Sequence, residues 1–305
     1  MPRLTGLALA LLLGAAPAAH AAPRVVASIP PVHGLVAAVM EGAGAPHLLI
    51  PADASPHDFA LRPSDAEALA KAELVFVVGA GLEGGLAEAA ERLGESAEHV
   101  ALAEARGVEP LPAVAHEHAE AGHEHAGSGD EDAIDPHLWL DPANAAVWLE
   151  AIAAALAEAD PANADLYGAN AAAAAAELDT LTAELAAALA PYATLDYAVF
   201  HDAFRYFERR FGLRPAASLA SASGAEPGAR GVARFRERLA EMQDPCLFAE
   251  PQHDAALVES VARDSGARTG TLDPIGRDIP PGPGFYPELL RALARDLARC
   301  LDGAG

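Results

Sequence analysis

The sequence predicts an α/β protein of two lobes, each a mostly parallel sheet with flanking helices, joined by one long backbone helix. Three observations predict it. Short β-branched runs alternate with helical stretches on both sides of the middle of the chain, the pattern of parallel βαβ units. Residues 74–78, Leu-Val-Phe-Val-Val, are apolar without alternation, as a strand buried on both faces requires. Between the alternating halves, Leu178, Leu181, Leu185 and Leu189 fall on one helical stripe that Pro191 ends.

Residues 1–21 stand apart from the fold. Met1-Pro2-Arg3 supplies a positive end, residues 4–13 a short apolar core, and Ala19-His20-Ala21 a small-x-small cleavage site. That is the build of a secretory signal peptide, with the mature chain starting near Ala22. No cysteine near the cleavage site offers a lipid anchor. No later run reaches the roughly 20 apolar residues of a membrane helix, so a soluble exported protein is expected.

The first lobe, 22–159, opens with a strand at 24–29, closed by Pro30-Pro31. A helix over 32–41 stops at Gly42, and a strand at 47–50 ends at Pro51. Pro63-Ser64-Asp65 opens a helix that runs to 72. The strand at 74–78 turns through Gly79-Ala80-Gly81 into a helix over 82–93, and 99–102 reads as a fourth strand. Residues 107–135 have no periodicity, and a loop of that length is functional or disordered. A helix follows over 143–159. The linking helix, 160–190, takes Asp160 as N-cap and Pro161 as its first position, and about 29 residues give a rod of about 40 Å. Alternation resumes in the second lobe, 191–305, with strands at 197–200, 214–219, 246–249 and 269–272 and helices at 203–211, 229–241, 254–265 and 286–301. About 280 mature residues suit two domains, each with its own core.

The formal charge is -24, from 44 acidic and 20 basic residues. Nucleic acid and anionic membrane surfaces are therefore poor partners, while an acidic field suits a collector of cations. Cys246 and Cys300 are the two cysteines. In an oxidising compartment they most simply form one disulfide closing about 54 residues, worth about 4 kcal/mol on the chain-entropy model. Free thiols or zinc ligands are the alternative, although no Cys-x-x-Cys spacing supports a zinc ribbon.

The chemistry concentrates between His116 and Pro142. His116, His118, His123 and His125, interleaved with Glu117, Glu120 and Glu124, cannot build an apolar core. They can collect a borderline-soft cation such as zinc, although such a tract also occurs as a merely solvated loop. His137 differs: Trp139, two leucines and two Asp-Pro steps make its surroundings ordered. In α/β sheets ligands sit beyond the carboxyl ends of strands. Four ligand-type residues fit that rule, His57 after the second strand, His137, His201 directly after Val199-Phe200, and Asp273 after Thr271-Leu272. Three imidazoles and a carboxylate make a tetrahedral zinc site. Glu250, Asp58 and Asp202 are candidates to orient a ligand imidazole. Arg62 and Asp65 fit the start of a helix, and His253 fits a helix-start surface better than the cleft. His33, His47 and His99 read as structural or exposed. Histidine ligation makes affinity fall below about pH 6.5, because ligand imidazoles must be neutral.

These segments resemble one family. Ser55-Pro56-His57-Asp58-Phe59-Ala60-Leu61-Arg62-Pro63-Ser64-Asp65 is similar to its first metal motif, Asp135-Pro136-His137-Leu138-Trp139-Leu140 to its second, and Val199-Phe200-His201-Asp202-Ala203-Phe204 with Tyr206-Phe207-Glu208 to its third. Phe248-Ala249-Glu250-Pro251-Gln252 and Leu272-Asp273-Pro274-Ile275-Gly276 complete the set. The family is the metal-binding periplasmic component of ABC importers, in its ZnuA-type zinc-uptake branch, and the resemblance covers essentially the whole mature chain. It implies metal held between two lobes, a His- and acid-rich loop before the second motif, a Cys246–Cys300 disulfide, and delivery of zinc to an inner-membrane ABC permease by a monomeric periplasmic protein. The manganese branch typically has glutamate at the third position; His201 here favours zinc. Some zinc-branch members carry an acidic residue before the first histidine, where this chain has Pro56, which leaves Asp273 or a water as the fourth ligand. Two other classes stay open at this point. One is a three-histidine zinc hydrolase, which would lack any His-Glu-x-x-His; the other is a metal buffer using the tract alone.

Overall fold

In the computed structural model the described residues are 22–113, 133–223, 227–253 and 255–303. The expected signal segment, the tract residues His116, His118, His123 and His125, and Asp254 lie outside them. The first half runs β1 (Val25–Ala27), α1 (Pro30–Val39), β2 (His47–Leu48), α2 (Pro63–Lys71), β3 (Leu74–Val77), α3 (Ala80–Leu93) and β4 (Glu98–Ala101). Next come α4 (Pro142–Ala159) and α5 (Ala164–Leu189). The second half runs β5 (Tyr197–His201), α6 (Arg205–Phe211), β6 (Ala217–Ala220), α7 (Ala229–Ala240), β7 (Cys246–Ala249), α8 (Ala255–Ser265), β8 (Arg268–Thr271) and α9 (Phe285–Leu301).

Among the described residues the strands form two four-stranded parallel sheets, ordered β2-β1-β3-β4 and β6-β5-β7-β8. Position in the sheet explains composition. The inner strands β1, β3 and β5 are buried at every residue and apolar almost throughout, whereas the edge strand β8, Arg-Thr-Gly-Thr, is not fully buried at any position. Helix starts follow local chemistry. Asp65 closes a capping box at α2, where its Oδ2 accepts the Arg62 N–H at 2.9 Å and Arg62 Nε returns to it at 3.0 Å. At α4, Asp141 Oδ1 accepts the Ala143 N–H at 2.9 Å.

Three expectations shift. The linking element does not begin helically at Asp160, whose N–H still closes α4 on the Leu156 carbonyl. A 3₁₀ turn over Pro161–Asn163 intervenes before α5, and Asp160 Oδ2 instead accepts from Tyr167 Oη at 2.9 Å and Asn163 Nδ2 at 2.7 Å. The 26 residues of α5 span about 39 Å and bury Leu178, Leu181, Leu185 and Leu189, the expected stripe. The strand expected from 214 starts at Ala217, because Pro215 has no N–H to give a ladder.

The third shift concerns the core. Instead of a core for each half, one apolar cluster runs from β1, β3 and α1 through α4 and α5 to Tyr197, Val199 and Phe248 of the second sheet and to α9. A smaller cluster covers the outer face of the second sheet with Phe200, Leu219, Leu247, Val258 and Val261. The reason is α9, which crosses back to pack on α1 and α5. Its approach to α1 is close: a Cβ on Gly34 would lie 2.9 Å from Phe285 Cβ, so that position takes glycine. Cys246, opening β7, and Cys300, in the last turn of α9, form the disulfide, with Cα atoms 6.2 Å apart.

Candidate metal centre

Three imidazoles from separate segments meet in one place. His57 sits in the loop between β2 and α2 and is half-buried. His137 precedes a 3₁₀ turn, Leu138–Leu140, that packs wholly inside. His201 is the last residue of β5. Ring centroids are 5.5 Å apart for His57 and His137, 5.9 Å for His57 and His201, and 5.1 Å for His137 and His201. One ring nitrogen from each lies within 4.8 Å of the others.

Two buried carboxylates aim the rings. His137 Nδ1 is 2.8 Å from Asp135 Oδ1, and His201 Nδ1 is 2.7 Å from Glu250 Oε1. Each Nδ1–H donates to its carboxylate, which leaves the Nε2 lone pairs facing the same space, 3.2 Å apart. Two lone pairs at that distance repel unless a proton or a cation lies between them. Zinc–imidazole bonds of about 2.05 Å put neighbouring nitrogens about 3.3 Å apart in a tetrahedron, so the spacing fits that ion. The space the rings enclose is about 10 Å³, walled also by Trp139, Gln252, Pro274 and Ile275. That is room for an ion and far below the ~300 Å³ of a small-molecule pocket.

The segment carrying His137 precedes α5 in sequence but is held by the second half. Trp139 Nε1 donates to the Pro274 carbonyl at 2.8 Å, Tyr286 Oη donates to the Trp139 carbonyl at 2.6 Å, and Arg210 forks onto both oxygens of Asp141 at 2.7 and 2.8 Å. This cross-packing brings His137 to His201.

Asp273 is not brought into the group, which corrects the four-residue set expected from strand exits. Its Oδ1 accepts from Ile275 N–H at 3.0 Å, Gly276 N–H at 2.9 Å and Gln252 Nε2 at 2.9 Å, and its Oδ2 from Arg277 N–H at 2.6 Å. Amides two to four residues on capture the carboxylate and turn it toward a separate cavity of about 570 Å³ beside α9. The carboxylates on the Nδ1 atoms are Asp135 and Glu250, whereas adjacency in sequence pointed equally to Asp58 and Asp202. The spacing Asp-Pro-His was the available signal for Asp135. His253, expected at a helix-start surface, lines the cavity instead, its ring centroid 5.2 Å from that of His201. His33 and His99 bond the carbonyls of Pro46 and Gly94, at 3.2 and 3.1 Å, and His47 is exposed.

The imidazoles differ in proton affinity. Burial, then the neighbouring rings of His137, His201 and His253, push His57 down to about 3. Burial also lowers His137, against the pull of Asp135. At His201 burial acts downward too, but the Glu250 charge and its hydrogen bond outweigh it, so this ring holds its proton above the ordinary 6.5. Without metal, His201 Nε2–H can donate to His137 Nε2.

A family model described as "Zinc-uptake complex component A periplasmic" matches residues 25–300. The chain is 39% identical over 304 residues to the high-affinity zinc uptake system protein ZnuA of Brucella abortus (strain 2308), covering 91% of each chain. It is 40% identical over 323 residues to that of Paracoccus denitrificans (strain Pd 1222), covering 99% of each. Among solved structures, a zinc-bound ZnuA lacking residues 138–173 of its own chain superposes with a TM-score of 0.77 at 28% identity, covering 92% of this chain and 98% of that one.

Proposed function

The chain belongs to the ZnuA family of zinc-uptake components, and on that premise we propose that it captures zinc with His57, His137 and His201 and hands it to an ABC permease. Zinc here is the cargo. Members of the family are solute-binding proteins of the periplasm rather than enzymes. The observation that carries the assignment to these residues is the pair of Nε2 atoms 3.2 Å apart, each ring anchored through Nδ1 on a buried carboxylate. Three nitrogen donors favour zinc over manganese, which prefers oxygen. With Asp273 engaged by its own turn, a water fills the fourth position. The reading extends to a signal peptide over 1–21, a periplasmic monomer, a partner permease in the inner membrane, and lobes at 22–159 and 191–305 linked by 160–190. No helix among the described residues is long and apolar enough to cross a membrane. The space of about 10 Å³ among the rings suits an ion far better than an ester or lactam, which weighs against the hydrolase.

Two measurements test this reading. Zinc titration of a protein lacking residues 117–126 should retain one tight site, since the tract only collects metal on this view. Loss of all tight binding would favour the buffer instead. The pH dependence should report one competing proton. As pH falls through the raised value of His201, that ring takes up a proton that zinc must displace, while His57 and His137 stay neutral. Apparent affinity should therefore fall with pH, approaching about tenfold per unit once pH is below the raised value of His201, with onset above the 6.5 of a free imidazole. A flat profile, or a slope near three, contradicts this arrangement.

A further inference from the structure

The first residues of α6 reach from the second half onto the support of His137. Tyr206 Oη, buried, donates to the Asp135 carbonyl at 2.9 Å and accepts the Leu111 N–H at 2.8 Å. Arg205 Nη1 donates to the Pro112 carbonyl at 2.7 Å and lies 3.4 Å from Asp135 Oδ2. The other oxygen of Asp135 accepts the His137 N–H at 3.0 Å and its Nδ1–H at 2.8 Å. The Asp135 side chain is wholly buried, with 0% exposure, whereas Arg205 retains 21%. Arg205 thus stands four residues after His201 and touches the carboxylate that aims His137.

A carboxylate held through one oxygen can swing about its last torsion and carry its ligand ring with it. A guanidinium on the second oxygen, itself braced on a backbone carbonyl, removes that freedom and compensates a fully buried negative charge. We propose that Arg205 is a positioning residue for His137: acting through Asp135, it sets the plane of that imidazole and so the strength with which zinc is held. This rests on His137 being a zinc ligand. It also makes the grip on the ion depend on a contact between the two halves of the chain.

The test is a double-mutant cycle between Arg205→Met and Asp135→Asn, read by zinc competition against a chromophoric chelator and by the visible absorption of the Co²⁺-loaded protein. Arg205→Met should weaken zinc about tenfold, the lower end of the range for residues behind a ligand, and should shift the Co²⁺ bands. Arg205→Lys should recover most of the loss, keeping the positive charge that faces Asp135 Oδ2 but not the planar guanidinium. In the Asp135→Asn background Arg205→Met should add nothing further. Unchanged affinity and Co²⁺ spectrum in Arg205→Met, or losses that simply add, would overturn the proposal and leave Arg205 as a tie for Pro112. If Arg205→Met fails to fold, the cycle with Arg205→Lys decides, with about a threefold loss expected in the wild-type background and none with Asp135→Asn. Wild-type protein that binds no zinc would instead remove the functional reading beneath it.

Discussion

Alanine at His201 will remove tight zinc binding and will also lower the stability of the metal-free protein. The first effect follows from losing one of three nitrogen donors and should exceed the 10–100-fold typical of residues that only support a ligand, so a loss above about 100-fold is expected. The second follows from Glu250, which is 3% exposed and would keep its burial without its imidazole partner. His137→Ala should do the same through Asp135. His57→Ala should cost as much affinity but less stability, since that ring is half-buried and sits in a loop. His99→Ala, which loses only a bond to the Gly94 carbonyl, should leave affinity unchanged. Isothermal titration with a competing chelator and urea melts of the same variants separate the two effects. Equal affinity losses at all four positions would contradict the site.

Removing the disulfide should destabilise the whole molecule while sparing the metal site. Cys246 and Cys300 lie 54 residues apart, and closing a loop of that length restricts the unfolded chain by about 4 kcal/mol on the entropy model. Because α9 packs on α1 and α5 and its apolar face belongs to the cluster shared by both halves, the loss should appear as one cooperative shift of the urea midpoint. Cys246→Ala with Cys300→Ala avoids burying new hydroxyls, since both positions are buried. Zinc affinity should stay within about threefold, as neither cysteine touches a ligand or its carboxylate. A double variant with an unchanged midpoint would show that the bridge contributes nothing. One that loses zinc binding while folded would show that the bridged end of α9 is coupled to the site, beyond the hold that Tyr286 at its start has on the Trp139 carbonyl.

The elements were legible where local rules suffice. The apolar run at 74–78, the Pro-Ser-Asp start of α2 and the leucine stripe of α5 each follow from side-chain periodicity or a cap, and each lies where expected within a few residues. The 3₁₀ break at Pro161–Asn163 was not legible, because Asp160 is drawn away by Tyr167 and Asn163, and capping rules assume a free side chain. The shared core was not legible either. Periodicity marks which face of α9 is buried, but not that α1 and α5 cover it.

By itself the sequence determined the parallel α/β class, the acidic charge that suits a cation, and three histidines at ordered positions near strand exits, since those depend on residue type and spacing along the chain. The tertiary structure alone decided which carboxylates aim the rings, that His253 lines the cavity, and that Asp273 serves its own turn. Those outcomes are competitions for hydrogen bonds. Their winners are set by distances between atoms that only folding brings together, such as Glu250 and His201, 49 residues apart in the chain and 2.7 Å apart in space.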